Sequence, residues 1–247
     1  MDNATTTLDG LLNRRVMLKQ PAQGYRVAID TVFLAAAVPA LAGDRILDMG
    51  CGVGGAMLCL AYRVPGITGL GIEIQSDLAK LCHDNIAQNV FASGLTIQES
   101  DITRLSPNLY GVFDHALMNP PYHDETKHDA SVDIIKRTAN TEKEGDLDLW
   151  IKSAAYALKP SGTLTLIHRA DRRQDILLTL QNAFGEVEIL PLLPKEGSAP
   201  KRLIIRARKN AFYALREYSP FILHKAAGGY TDASELVLRH SQQLAML

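Results

Sequence analysis

Ile46-Leu-Asp-Met-Gly-Cys-Gly-Val-Gly-Gly55 is the stretch that decides the fold of this chain. An apolar run surrounds Asp48, glycines follow at positions 50, 52, 54 and 55, and an apolar segment with helical spacing comes next. Because glycine has no Cβ, a turn made of these residues lets the backbone approach a ligand closely. The stretch therefore predicts a strand, a tight nucleotide-binding turn and the start of a helix.

Strand-like and helix-like segments alternate along the chain after this turn. Alternation of this kind predicts an α/β fold, with a doubly wound, mostly parallel sheet and helices on both faces. We expect seven strands in a Rossmann-like arrangement. They are predicted at residues 45–49, 67–74, 95–99, 113–118, 163–168, 187–192 and 203–208.

The whole chain, residues 1–247, is expected to form a single domain. Residues 1–43 are interpreted as an N-terminal leader that covers the ligand site, and residues 44–210 as the catalytic core. Residues 211–247 are interpreted as a C-terminal extension that packs on the sheet, with no function assigned to it.

Two segments outside the alternating pattern carry their own predictions. Residues 1–15 are polar and are expected to form a loose arm, and residues 16–26 a short strand or hairpin. Asp30 or Thr31 is expected to cap the helix that follows, and Ser76 is expected to cap the helix after the second central strand. The polar stretch 123–146 is too long for an ordinary connection and is interpreted as a lid or substrate loop over the site.

Composition excludes several classes of protein. The net charge of -1 gives no overall nucleic-acid signature, so any nucleic acid must be held by a local basic patch. The three cysteines, Cys51, Cys59 and Cys82, show neither metal-ligand nor disulfide spacing, which favours buried, reduced thiols and a cytoplasmic setting. No apolar run approaches the roughly 18 residues of a membrane span. We therefore expect no metal and no membrane association.

The glycine spacing and Asp48 select the cofactor class. Dinucleotide-binding turns need G-x-G-x-x-G and hold a pyrophosphate at the helix N-terminus. Here the pattern is G-x-G-x-G, and the carboxylate of Asp48 would repel a pyrophosphate while suiting a cation. S-adenosylmethionine carries a sulfonium and an ammonium and no phosphate. The stretch is similar to motif I of class I S-adenosylmethionine-dependent methyltransferases, which places Gly50, Cys51, Gly52 and Gly54 against the cofactor.

Acidic residues at the ends of the next two predicted strands fit a bound nucleoside. Glu73 can accept both ribose hydroxyls, although the same position serves nicotinamide enzymes. In the methyltransferase pattern, Asp101 accepts the adenine amine and the next apolar residue, Ile102, packs on the ring. Ile74 and Asn119 are assigned to the same site. The alternative interpretation of Asp101 is a plain helix N-cap.

Met118-Asn-Pro-Pro-Tyr122 predicts the class of methyl acceptor. It matches the (Asn/Asp)-Pro-Pro-(Tyr/Phe) motif of methyltransferases that act on planar amino groups. The Asn119 side-chain oxygen and the Pro120 carbonyl can each accept one N–H bond from the amine. Pro121 stiffens the turn, and Tyr122 can stack on the planar target. The alternative is a Pro-Pro turn with a buried tyrosine.

With both motifs in place, residues 14–210 resemble the bacterial tRNA (adenine-N6)-methyltransferase family. The leader sequence Gln20-Pro-Ala-Gln-Gly-Tyr-Arg26 is similar to the segment that closes over the cofactor in that family, which implicates Tyr25 and Asp30 in the site, together with Gly24 and Arg26. The resemblance implies an RNA substrate, specifically adenine in tRNA. Methylation of a protein glutamine or an rRNA guanine amine, and a non-catalytic RNA-binding protein with a vestigial pocket, remain alternatives.

Basic and histidine side chains complete the candidates. His123, His128 and His168 are interpreted as solvent-exposed loop or strand-end residues, because this chemistry requires no base before methyl transfer. The candidate RNA contacts are Arg14, Arg15, Lys19, Lys127, Lys136, Arg137, Arg169, Arg172, Arg173, Lys195, Lys201 and Arg202.

Overall fold

The computed structural model describes residues 6–24, 26–121, 146–244 and 246. The strands are, in chain order, β1 (Thr6–Leu11), β2 (Val16–Pro21), β3 (Arg45–Met49), β4 (Thr68–Glu73), β5 (Leu95–Glu99), β6 (Phe113–Met118), β7 (Leu158–Arg169), β8 (Phe184–Leu193), β9 (Arg202–Lys209), β10 (Leu215–Glu217) and β11 (Phe221–Ile222). The α-helices are α1 (Ile29–Ala37), α2 (Gly55–Arg63), α3 (Ser76–Gln88), α4 (Asp146–Ala157), α5 (Arg173–Leu180) and α6 (Asp232–His240).

The central sheet confirms the predicted α/β architecture. Its strands run in the order β10-β8-β9-β7-β6-β3-β4-β5, with β11 also paired to β8. The pairs among β3, β4, β5, β6 and β7 are parallel, whereas β9 runs antiparallel to both of its neighbours. All seven predicted strands are present. In the described residues the sheet has nine strands, because β10 and β11 of the C-terminal extension pair with the free edge of β8.

Helices cover both faces of the sheet and divide the core into two clusters. One cluster joins buried residues of α1, α2 and α3 to the hairpin β1–β2 and to the C-terminal extension. The other joins buried residues of α4 and α5 to the opposite face. None of the helices within the described ranges is both long and apolar enough to span a bilayer.

The leader is more ordered than its composition indicates. The prediction of a loose arm over residues 1–15 is wrong for residues 6–15, because β1 pairs antiparallel with β2 over its full length. The strand β1 has no strongly apolar face of its own, so its order comes from pairing, which periodicity does not reveal. Residues 1–5 lie outside the described part of the chain.

Two predicted helix caps are also corrected. The N-cap of α1 is Ala28, so neither Asp30 nor Thr31 caps it, and both lie inside the first turn. Ser76 is the first residue of α3 rather than its N-cap, and its hydroxyl donates to Glu99 at 2.9 Å. The expected lid over residues 123–146 lies outside the described residues except for Asp146, the first residue of α4.

Candidate active site

The carboxyl ends of four neighbouring strands bring the predicted site residues to one edge of the sheet. In the sheet, Met49 of β3 lies opposite Ile72 of β4 on one side and Met118 of β6 on the other. The residues that follow these three, which are the glycine turn, Glu73 and Asn119, therefore lie next to one another. Glu73 pairs in turn with Glu99, two residues before Asp101. This edge, where the strand order reverses around β3, is where open α/β sheets bind ligands.

Asp48 occupies the position that excludes a pyrophosphate. Its side chain is buried, and Oδ2 accepts the Met57 backbone N–H of the first turn of α2 at 3.2 Å. The protein's own carboxylate thus takes part of the helix N-terminus that a phosphate would use. Burial raises the pKa of Asp48 to about 7, the Met57 N–H opposes this shift, and the charge of Glu73 adds to it.

The glycine turn is held between α3 and α4. Gly54 is the N-cap of α2 with φ at 86°, and a Cβ there would lie 2.8 Å from Cys82 Sγ. A Cβ on Gly50 would overlap the ring of Trp150 on α4. Side chains therefore fit at neither position. Cys51 lies between these glycines, and its contact with Cys82, together with burial, raises the pKa of Cys51 well above the ordinary thiol range.

Glu73 ties the turn to the end of β4. Its Oε2 accepts the Gly52 N–H at 2.9 Å and its Oε1 accepts the Gln75 N–H at 2.8 Å. Burial raises the pKa of Glu73, and these backbone donors oppose the shift. Each carboxylate oxygen can accept a second hydrogen bond, so the group fits a pair of ribose hydroxyls. Ile74, beside it, is 63% exposed and free to cover an apolar ring.

Asp101 forms the alternative cap that the sequence left open. Its Oδ1 accepts both the backbone N–H and the hydroxyl of Thr103 at 2.8 Å, and it is the N-cap of the short helical turn Ile102–Arg104. The Ile102 side chain is buried in the core cluster that contains α4 and α5. The adenine role of these two residues stays a prediction.

Asn119 presents an unused acceptor at the end of β6. Its Oδ1 is buried and accepts no hydrogen bond from any residue that the structure describes. A buried acceptor without a donor costs free energy, about 1–3 kcal/mol, unless a ligand supplies the donor. Pro120 is buried and Pro121 is half-buried. Tyr122 lies outside the described residues.

Protein contacts hold the leader residues that were assigned to the site. Arg26 donates to Asp9 at 2.9 Å and to the Pro21 carbonyl at 2.9 Å. Asp30 forms an ion pair with Arg202 at 2.8 Å, which joins α1 to the start of β9. Gly24 has φ at 88°, and Tyr25 lies outside the described residues.

Several expectations about charged side chains change once the structure is known. His168 does lie near the end of β7, but it is buried rather than solvent-exposed, and burial lowers its pKa to about 4. His123 and His128 lie outside the described residues. Four of the proposed RNA contacts form ion pairs with acids, namely Arg169 with Asp171, Arg172 with Asp175, Arg173 with Glu217 and Arg202 with Asp30.

Two exposed lysines keep their position at the candidate site edge. Lys195 and Lys201 belong to the loop between β8 and β9, and the Lys201 carbonyl accepts the Ala170 N–H at 3.1 Å. Lys127, Lys136 and Arg137 are outside the described residues. Across the described ranges, no group of three or more His, Cys, Asp or Glu side chains is placed to hold a metal.

Sequence reasoning missed two residues that shape this site. Trp150 is the chain's single tryptophan, and its ring fills the space beside Gly50. Asn85 is completely buried on α3, and its side-chain Nδ2 donates a hydrogen bond to the Val53 carbonyl in the glycine turn at 2.9 Å. A polar residue on the apolar stripe of a helix was the available signal for Asn85.

The chain is similar to known proteins over most of its length. Residues 24–192 match the family model described as "Methyltransferase small domain". The chain is 23% identical to a tRNA1(Val) (adenine(37)-N6)-methyltransferase of Haemophilus influenzae, over 92% of this chain and 95% of that protein. It is 24% identical to an rRNA N(6)-adenosine-methyltransferase of Caenorhabditis elegans, over 69% of this chain and 72% of that protein.

A solved structure shows the same fold. The crystal structure of a protein from Agrobacterium tumefaciens, described as a predicted O-methyltransferase, superposes with a TM-score of 0.71 at 24% identity. The superposition covers 84% of this chain and 94% of that one. At this identity the likeness concerns the fold and not the acceptor.

Proposed function

The chain belongs to the methyltransferase small domain family, and on that premise we propose that it methylates the exocyclic N6 amine of adenine in a transfer RNA. It is an enzyme, and its methyl donor is S-adenosylmethionine. The observation that carries the acceptor assignment is the buried, unpaired Oδ1 of Asn119 beside the glycine turn.

The described residues fit the donor. S-adenosylmethionine supplies an electrophilic methyl group on a sulfonium. In this proposal the buried carboxylate of Asp48 and the backbone of the glycine turn hold the cationic methionine part, and Glu73 holds the ribose hydroxyls. Asp101 accepts the adenine amine through the carboxylate oxygen that does not cap Thr103, while Ile74 and Ile102 lie beside the ring. Tyr25 and Asp30 belong to the leader that closes over it.

The acceptor half is built to hold a weak nucleophile. The lone pair of an adenine amine is delocalised into the ring, so accepting its two N–H bonds at Asn119 and Pro120 orients the amine and localises the lone pair. Pro121 keeps this turn stiff, and Tyr122 stacks on the base. No side chain needs to remove a proton first, because the methylated amine loses its proton afterwards.

The choice of RNA rests on the relatives. The Haemophilus protein is named as a tRNA adenine methyltransferase, and the Caenorhabditis protein is named as an rRNA adenosine methyltransferase. Adenine in RNA is common to both, and the bacterial relative matches over the greater length. We place the reaction in the cytoplasm, where tRNA is modified and where three free, buried cysteines stay reduced.

Asn119→Ala tests the role of the acceptor turn. We expect methyl transfer to be abolished while the affinity for S-adenosylhomocysteine, measured by calorimetry, stays within about threefold, because Asp48, the glycine turn and Glu73 still hold the cofactor. Asn108→Ala, the same change in an exposed turn, should leave both quantities unchanged. Full activity of Asn119→Ala would remove the assignment.

The acceptor itself needs a separate experiment. The protein is incubated with labelled S-adenosylmethionine and, in parallel, undermethylated tRNA, rRNA or total protein, and the RNA is then digested for nucleoside mass analysis. We expect N6-methyladenosine in the tRNA sample. Label in rRNA guanine or in protein glutamine would support the alternatives, and absence of any cofactor binding would support a non-catalytic RNA-binding protein.

A further inference from the structure

Two asparagines, one on α3 and one directly after it, bind the backbone of the leader strand β2. Asn85 Oδ1 accepts the Lys19 N–H at 2.7 Å, and Asn85 Nδ2 donates to the Lys19 carbonyl at 2.9 Å. Asn89, just past the helix end, repeats the arrangement on Met17, at 3.0 and 2.8 Å. Both side chains are buried, at 0% and 5% exposure.

These two contacts are possible because the residue spacing along the helix matches the residue spacing along the strand. Four residues of an α-helix rise about 6 Å, and two residues of a strand extend about 6.6 Å. Alternate residues of an edge strand turn their N–H and C=O groups away from the paired strand. The side-chain amides of Asn85 and Asn89 therefore hydrogen-bond the backbone N–H and C=O groups of β2 that do not pair with β1.

Asn85 extends this contact to the glycine turn. The second hydrogen of its Nδ2 is donated to the Val53 carbonyl at 2.9 Å. Asn89 uses its second hydrogen on the Asn85 carbonyl of its own helix, at 2.7 Å. The two residues thus hold the leader equally, but Asn85 alone of the pair joins the leader to the cofactor turn.

The leader residues downstream depend on the same anchor. Gln20, next to Lys19, accepts the Val27 N–H through Oε1 at 2.9 Å. The Val27 side chain packs against Gly55, with Cγ2 at 3.1 Å from the place of a Cβ there. The glycine turn and the helix that follows it therefore contact both Val27 of the leader and Asn85 of α3.

We propose that Asn85 is a positioning residue of the cofactor site, which fixes the Val53 carbonyl and the Lys19 backbone in one arrangement so that leader and glycine turn hold the cofactor together. Asn85 acts on the cofactor through the backbone of the turn. The proposal concerns the donor half of the site, so it is independent of which acceptor is methylated.

Two matched variants test this role. Asn85→Ala and Asn89→Ala each remove two hydrogen bonds to β2, so both should lower the melting temperature and speed exchange of the Lys19 or Met17 amide. We expect Asn85→Ala to weaken S-adenosylhomocysteine binding about tenfold in calorimetry and Asn89→Ala to change it by less than about threefold. Asn85→Ala binding within threefold of the native protein, or equal weakening by both variants, would overturn the proposal.

The native protein provides a readout that does not depend on the variants folding. Because coupling between a ligand and a structural contact is reciprocal, saturation with S-adenosylhomocysteine should slow hydrogen exchange of the Lys19 amide by about tenfold or more. The Glu235 amide, in α6, serves as the control and should not change. An unchanged exchange rate at Lys19 would also overturn the proposal.

Discussion

At the scale of single residues, Asp48 shows how burial adapts an ordinary side chain to a ligand. The sequence places a carboxylate before the glycines, but its charge state depends on burial beside Glu73 and on one backbone donor. With its pKa at about 7, the group is largely protonated below neutral pH in the free protein. A cationic ligand favours the ionised form, so binding and ionisation are linked.

This linkage predicts a pH dependence of cofactor affinity. Between pH 5.5 and 7 the affinity for S-adenosylmethionine should rise by up to about tenfold per pH unit, as Asp48 ionises, and then level off. Calorimetry at several pH values measures it. Asp48→Asn should bind more weakly and lose most of this dependence, and a native profile that is flat across the range would contradict the assignment.

The same shift has the opposite sign for the stability of the free protein. Because the folded-state pKa of Asp48 is raised, its contribution to stability is complete below the unfolded pKa of about 4 and is lost as pH rises through about 7. Urea unfolding of the free protein at pH 5 and pH 7.5 should show this decrease, and Asp48→Asn should reduce it.

At the scale of elements, the C-terminal extension completes the sheet and covers α1. The strands β10 and β11 pair with β8, and the Leu244 N–H donates to the Ala36 carbonyl of α1 at 2.9 Å. Thr231 is the N-cap of helix α6, and its hydroxyl accepts the Ser234 N–H at 3.2 Å and donates to the Ile222 carbonyl at 2.9 Å. One side chain thus joins α6 to β11.

Thr231→Ala tests this junction. Removing the cap should lower the free energy of unfolding by about 1 kcal/mol. Thr231→Ser keeps the hydroxyl, and serine caps helices at least as well as threonine, so the free energy of unfolding should change by less than about 0.5 kcal/mol. Urea titrations followed by circular dichroism give both values. Equal losses in the two variants would show that the cap contributes nothing.

At the scale of the whole molecule, charge balance limits how RNA can be held. The formal net charge of -1 provides no overall attraction to phosphate, and four of the arginines near the site are paired with acids. The loop from Pro194 to Lys201 places exposed lysines beside the same edge as Asn119. Phosphate contacts carry most of the affinity for nucleic acid, so we propose that these lysines contribute to RNA binding.

Lys201→Glu should therefore weaken RNA binding about tenfold at low salt and reduce the slope of log K against log salt by about 1. Filter binding of tRNA in the presence of S-adenosylhomocysteine measures both. Lys80→Glu, the same exposed charge reversal on α3, is the control and should change neither value. If Lys80→Glu has the same effect, the loop has no special role in RNA binding.

The sequence by itself determined the alternation of strands and helices, the glycine turn and the placement of Asp48, Glu73 and Asn119 at strand ends. These are local properties, because strand bounds follow from apolar runs and turns from glycine and proline. The bounds of β3, β5 and β6 agree with prediction at both ends. The assignment of 1–247 to one domain and the boundaries at 43 and 210 stay predictions.

Only the tertiary structure decided the order of the leader, the extra strands at β8 and the burial of His168. It also decided the grip of Asn85 on Lys19, which joins residues 66 positions apart. Each of these features depends on which distant groups come into contact after packing. A local pattern of residues shows that a buried polar group needs a partner, but it does not show where in the chain that partner lies.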